Sequence, residues 1–193
     1  MQPAPVEHEP FHVDAATLEA GLPHVRFSPS DEGRVQLLVV RPAVDSRVAV
    51  REVDVDVERG LVGDTWVERG SSRTPDGGPN PEAQVTVMNH RAALLVAASS
   101  DRVPLCGDQV YVDLDLSTAN LPTGTVLDFG DVALEVTAAP HTGCAKFSAR
   151  FGVEALRITA TTEGRFLRLR GINSRVVRGG LLRTGDRVTV VRP

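Results

Sequence analysis

The stretch Thr125-Val126-Leu127-Asp128-Phe129-Gly130-Asp131-Val132-Ala133-Leu134-Glu135-Val136-Thr137 decides the fold class. Two short apolar runs flank Gly130-Asp131, and a Gly-containing pair between two such runs marks a tight β-hairpin. Upstream, residues 48–57 carry the same message by alternation. Val48, Val50, Val53, Val55 and Val57 are interleaved with charge, as a strand with one buried face requires. Further strands are expected at residues 35–40, 84–88, 109–114 and 172–177, then after a Gly179-Gly180 turn at 187–191.

Helical signals are fewer. Residues 14–21 predict a short helix with Asp14 as N-cap and Gly21 as its stop, and Asn89 caps an apolar helix over 90–99. A third is expected over 145–158. Many short strands without a regular strand–helix–strand rhythm predict a mainly β protein: a closed or nearly closed β-barrel with a few short helices packed outside. Closure removes the exposed edges of a Val-rich sheet. The barrel domain is expected over 33–193. Residues 1–32 form an N-terminal extension with the short helix, and its Pro- and Glu-rich first ten residues are expected to fray.

The length of 193 residues suits one domain with a real core. The longest uninterrupted apolar run is seven residues, 92–98, too short for a transmembrane helix. The first residues lack the basic and apolar regions of a secretory signal. Two cysteines, Cys106 and Cys144, make no disulfide framework, so the expected location is cytoplasmic. The formal net charge of −4 divides unevenly: residues 1–140 carry a net −12 and residues 141–193 a net +8. Such asymmetry fits either an anionic ligand at the basic end or two halves that neutralise each other in one fold. Aromatics are only 4%, and no nucleic-acid-binding signature is present, so nucleic acid is not an expected partner. Nor is a membrane.

Chemistry concentrates in Pro140-His141-Thr142-Gly143-Cys144-Ala145-Lys146-Phe147, between an expected strand and an expected helix. A cysteine at a helix N-terminus has its thiolate favoured by the aligned peptide dipoles, and His141 and Lys146 add positive charge. A thiolate attacks electrophiles, carries sulfur or ligates a soft metal. The competing reading of Cys144 is a small buried hydrophobe. A second candidate is Gly60-Leu61-Val62-Gly63-Asp64-Thr65-Trp66, whose turn can set a carboxylate and a flat ring at a barrel mouth. Alternatively, Asp64 bonds its own backbone and Trp66 fills the core. Arg168, Arg170 and Arg175, with Asn173 between, suit an oxyanion through planar bidentate contacts; alternatively, Arg165, Arg168 and Arg170 around Phe166, Leu167 and Leu169 form a solvated strand face over 165–170. The turn-rich residues 70–81 make a long loop, expected to border the same cavity as Cys144.

These stretches, in this order, make the chain resemble the MOSC domain family, the module named for the C-terminal part of molybdenum-cofactor sulfurases. The resemblance rests on Gly60-Leu61-Val62-Gly63-Asp64, on Gln84-Val85-Thr86-Val87-Met88-Asn89 and on Val112-Asp113-Leu114-Asp115-Leu116 with Leu121-Pro122-Thr123-Gly124-Thr125. It continues through Leu134-Glu135-Val136-Thr137, Gly143-Cys144-Ala145-Lys146-Phe147, Arg170-Gly171-Ile172-Asn173-Ser174-Arg175 and Gly185-Asp186-Arg187-Val188. Two positions depart from it. Thr65-Trp66 stands where many members have a His, and Gly107-Asp108-Gln109 where many have an Arg-Asn pair.

The resemblance implies a MOSC-like β-barrel and a single cysteine, Cys144 by position, that carries sulfur or serves as a molybdenum ligand. Its implied cofactor is the molybdenum cofactor (molybdopterin). Asp64, Trp66, His141, Lys146, Arg170, Asn173 and Arg175 are then the residues expected around it. Pyridoxal phosphate belongs to the larger sulfurases and needs a Schiff-base lysine. Lys146 is the only lysine here, and that cofactor is not expected. The expected function is a molybdenum-cofactor-linked, sulfur-transfer or reductase-type enzyme with one reactive cysteine. The alternative is a non-catalytic barrel that binds a small anion or docks onto a redox partner protein.

Overall fold

A computed structural model describes residues 11–71 and 74–193. The expected frayed first ten residues, and two positions of loop 70–81, lie outside them. The strands are β1 (Glu32–Val40), β2 (Val48–Val50), β3 (Glu52–Asp56), β4 (Gly60–Leu61), β5 (Val85–Asn89) and β6 (Val110–Asp113). They continue as β7 (Val126–Asp128), β8 (Ala133–Val136), β9 (Ile172–Arg178), β10 (Gly180–Arg183) and β11 (Arg187–Val191). The α-helices are α1 (Ala15–Arg26), α2 (His90–Ala97), α3 (Ala145–Ala160) and α4 (Thr162–Phe166).

Seven strands close into a barrel in the order β1-β6-β5-β9-β8-β7-β11, and β11 pairs back onto β1. The expected mainly β barrel with short outer helices is the fold of the chain. One strand–helix–strand unit interrupts the antiparallel pattern, since β5 and β6 run parallel across α2. A parallel pair needs a crossover, and a helix capped by Asn89 supplies it: Asn89 Oδ1 accepts from Ala92 N at 3.0 Å. The deciding hairpin forms as read. Asp128 pairs with Ala133, Phe129 N donates to Val132 O at 2.8 Å, and Gly130 adopts φ +88°.

Strand alternation sorts side chains into two apolar layers. Leu38, Val87, Val110, Val112, Leu134 and Val176 fill the barrel interior. Their neighbours Val39, Met88 and Tyr111 point outward, against Leu18 and Leu22 of α1, Val96 of α2 and Phe147 and Phe151 of α3. Each fully buried side chain of this size contributes about 1.5–3 kcal/mol.

Three local expectations change. The alternating run 48–57 divides at Arg51: β2 joins the barrel through β1, whereas β3 pairs with β10 in a separate three-stranded sheet with β4. Alternation reports a buried face and is silent on which sheet buries it. Helix α1 passes through Gly21 and Pro23 to Arg26, because Leu18, Leu22 and Val25 continue one buried stripe. Helix α3 is bent at Gly152, whose φ of +89° lies outside helical space. Among the described residues, no helix is long and apolar enough to cross a membrane.

Candidate functional site

The chain leaves β1 at Arg41 and β8 at Thr137, and it enters β6 through Asp108 and β9 through Arg170 and Gly171. The last two come close because residue 171 is a glycine. Its φ is +95°, and a Cβ there would fall 2.5 Å from Val87 O and 3.3 Å from Asp108 Oδ1. Arg170 is thereby seated against Asp108, with NH1 at 2.5 Å from Oδ2 and NH2 donating to Cys106 O at 3.0 Å. Its guanidinium also lies over the Phe147 ring, 5.0 Å from the centroid.

His141 approaches the same carboxylate, with Nε2 3.4 Å from Asp108 Oδ1, beyond good hydrogen-bonding distance for a direct pair. Burial lowers its pKa to about 4 and outweighs the upward pull of Asp108, so the ring is neutral at pH 7. Three buried polar atoms here have no hydrogen-bond partner among the described residues: Asp108 Oδ1, His141 Nδ1 and Arg170 Nε. Such atoms are costly when left unmet.

A cavity of about 490 Å³ opens beside them. One wall is the segment from Thr137 to Gly143, and the other comes from α3, α4 and the entry to β9. His141, Arg170 and Asn173 all line it, so these three expected residues are brought together. Asn173 also ties the first wall, donating from Nδ2 to Ala139 O at 3.2 Å. Cys144 stands one residue beyond the wall, at the N-cap of α3, exposed and making no capping bond with its side chain. Cys106 is its opposite: buried, with the thiol pushed far up by burial and by Asp108.

The remaining expected residues stand elsewhere. Asp64 is fully buried and accepts from Arg41 Nε at 2.7 Å, Arg41 NH2 at 3.0 Å, Arg41 N at 3.0 Å, Arg69 NH2 at 3.1 Å and Trp66 N at 2.9 Å. Burial pushes its carboxyl up, yet Arg41 and Arg69 together hold it below the ordinary carboxylate range. Trp66 is buried beneath Gly60. Lys146 lies on the surface, with Nζ 2.8 Å from Asp45 Oδ1, an oxygen shared with Arg150 at 3.2 Å. Arg175 pairs with Glu135 at 2.9 Å, half exposed on β9. Among the described residues of loop 70–81, Ser71 N donates to Gly78 O at 3.0 Å. None of its described residues lines the cavity, although Glu82 just after it accepts from Thr137 Oγ1 at 2.5 Å.

No protein-family model matches the chain, and no curated protein matches it by sequence. Solved structures do match. The YuaD protein from Bacillus subtilis is 18% identical over 82% of this chain and 95% of its own, with a TM-score of 0.58. YiiM from Escherichia coli is 17% identical over 83% of this chain and 70% of its own, at 0.53. YiiM from Geobacillus stearothermophilus is 14% identical over 83% and 75%, at 0.54. YuaD and YiiM are MOSC-domain proteins. The fold is MOSC-like.

Within this MOSC-like barrel, sequence reading overlooked Asp108 as the partner of Arg170 and His141, and Arg41 as the partner of Asp64. Asp108 carried a signal, as an acidic residue entering a strand right after a Gly. Arg41, before Pro42 at a strand end, carried none that separates it from nineteen other arginines. Residues 165–170 are also not a strand face, since α4 occupies their first part and Arg168 turns at φ +47°.

Proposed function

We propose that this chain is a molybdenum-cofactor-linked protein of MOSC type that works through the single accessible thiol of Cys144. The observation that carries the reading is the placement of that exposed cysteine one residue from the wall of a cavity whose buried polar atoms lack partners. Among the described residues, no cluster of three His, Cys, Asp or Glu side chains could hold a metal by itself. A metal met by Cys144 therefore comes within a larger group, and the cavity has the size and donor set for one. Arg170 and Asn173 would hold its polar edge, His141 would meet it as a neutral ring, and Cys144 would offer sulfur at its open side. When bound, the cofactor supplies redox chemistry at molybdenum or a sulfur acceptor. Lys146, ion-paired on the surface, takes no part in the cavity.

A second reading is favoured by one observation: the cavity wall itself contains arginines and His141 but stops short of the thiol. In that reading the barrel binds a small anion without catalysis. Metal analysis of the full chain, purified from a molybdenum-replete host, separates the two. The cofactor reading expects molybdenum in the wild type and its loss in Cys144→Ala. Equal molybdenum in both proteins removes the cysteine from the reading, and none in either leaves the anion-binding module. Brief iodoacetamide treatment at pH 7, followed by peptide mapping, should label Cys144 well before buried Cys106. Faster labelling of Cys106 overturns the assignment of Cys144 as the accessible thiol.

A further inference from the structure

The charge of the cavity does not balance. No Asp or Glu is among the residues that line it, whereas Arg165, Arg168 and Arg170 are. Arg170 is neutralised by Asp108. Arg165 and Arg168 are not, because no carboxylate lies within ion-pair distance of either among the described residues. Backbone carbonyls hold them instead. Arg165 Nε donates to Ala160 O at 2.7 Å, and Arg168 NH1 donates to Leu121 O at 2.7 Å. A carbonyl fixes the direction of a guanidinium and leaves its charge in place, with the other N–H groups of the fork free.

The facing wall supplies more donors. The backbone N–H groups of His141, Thr142 and Gly143 donate no hydrogen bond to any described residue. Two oriented cations and a run of free N–H groups, with no acid between them, match one ligand chemistry: a compact, doubly charged group rich in acceptor oxygens. A carboxylate brings one charge and two oxygens. A phosphate monoester brings nearly two charges and three terminal oxygens.

We propose that the cavity takes a phosphate monoester, its phosphate seated on Arg165 and Arg168. The inference rests on the reading that this cavity is the ligand site, and it deepens it by naming the group recognised and the residues that recognise it. The monoester belongs either to the cofactor or to a phosphorylated substrate, and the chemistry of recognition is the same.

Calorimetric titration of the full chain, prepared free of cofactor, with glycerol 3-phosphate and with glycerol tests it. Saturable, salt-sensitive binding of the monoester is expected, and none of the alcohol. Arg165→Gln and Arg168→Gln should each weaken that binding about tenfold or more, while Lys146→Ala, outside the cavity, leaves it unchanged. Arg168 also braces Leu121, so a thermal melt of each variant without ligand reports folding, and exposed Arg165 decides if Arg168→Gln fails to fold. Absence of monoester binding, or equal affinity in wild type and Arg165→Gln, overturns the inference. Protein that retains cofactor identifies the source: binding blocked there assigns the phosphate to the cofactor, and binding preserved assigns it to a substrate. Monoester binding in a chain that never holds molybdenum sinks the cofactor reading alone. Undiminished molybdenum in both Arg variants, with no monoester binding, sinks this inference alone.

Discussion

Two buried carboxylates, Asp64 and Asp108, each meet an arginine at an end of the barrel, and they differ in how completely they are met. Asp64 accepts five hydrogen bonds from Arg41, Arg69 and Trp66, and no buried side-chain N or O of that network is left without a partner among the described residues. Asp108 accepts one short bond from Arg170, and its other oxygen, His141 Nδ1 and Arg170 Nε remain unmet. A saturated network has one arrangement and ties loops together. An unsaturated one beside a cavity holds capacity that a ligand can fill. The contrast separates scaffold from site where composition alone could not, because both are built from the same residue types.

The sharpest test breaks the saturated side. Asp64→Asn leaves the Arg41 charge buried without its counterion and should cost about 3–5 kcal/mol in urea unfolding, the usual range for breaking a buried pair. Ligand binding by the fraction that remains folded should be unchanged. A loss below 1 kcal/mol would mean that the Arg41–Asp64–Arg69 network does not brace the barrel end.

The next test uses pH on the unsaturated side. His141 binds its proton near pH 4 in the folded chain and near the ordinary 6.5 when unfolded. Between those values the unfolded chain holds more protons, so stability is lost as pH falls through the window, on the order of 3 kcal/mol in all. His141→Gln should flatten that part of the curve in unfolding titrations from pH 7 to pH 4. An unchanged slope would trace acid sensitivity to other groups.

The smallest effect is expected outside both networks. Arg175 and Glu135 pair on the barrel surface with the arginine half exposed, and such pairs contribute about 0–1 kcal/mol. Arg175→Ala should leave both the unfolding midpoint and glycerol 3-phosphate binding within error of the wild type. A clear loss of binding would extend the site to β9's outer face.

How much of this was legible in the sequence follows the range of the interactions. The hairpin at Gly130-Asp131, the Asn89 cap and the closed barrel are visible because turn chemistry, capping and alternation act over a few residues. His141, Arg170 and Asn173 were legible as polar residues near strand ends, and they do meet. The pairing of Arg170 with Asp108 spans 62 residues, and that of Arg41 with Asp64 spans 23. Among 20 arginines, no local rule assigns a partner at that distance. Burial was equally out of reach: the Gly60–Asp64 turn that made Trp66 a candidate ring at a mouth is satisfied just as well by a ring in the core.

The closure of the barrel also has a consequence in time. Glu32 on β1 and Arg187 on β11 meet across 155 residues, so the seam joins strands that leave the ribosome far apart. During synthesis β1 can find β2 and β6 early, while its remaining edge waits for a strand not yet made. Long-range pairing of this kind slows folding, and an unpaired apolar edge invites association with other chains. The step that seals the barrel therefore waits until β11 has been made, and the interval before it is when the barrel strands are most exposed to aggregation.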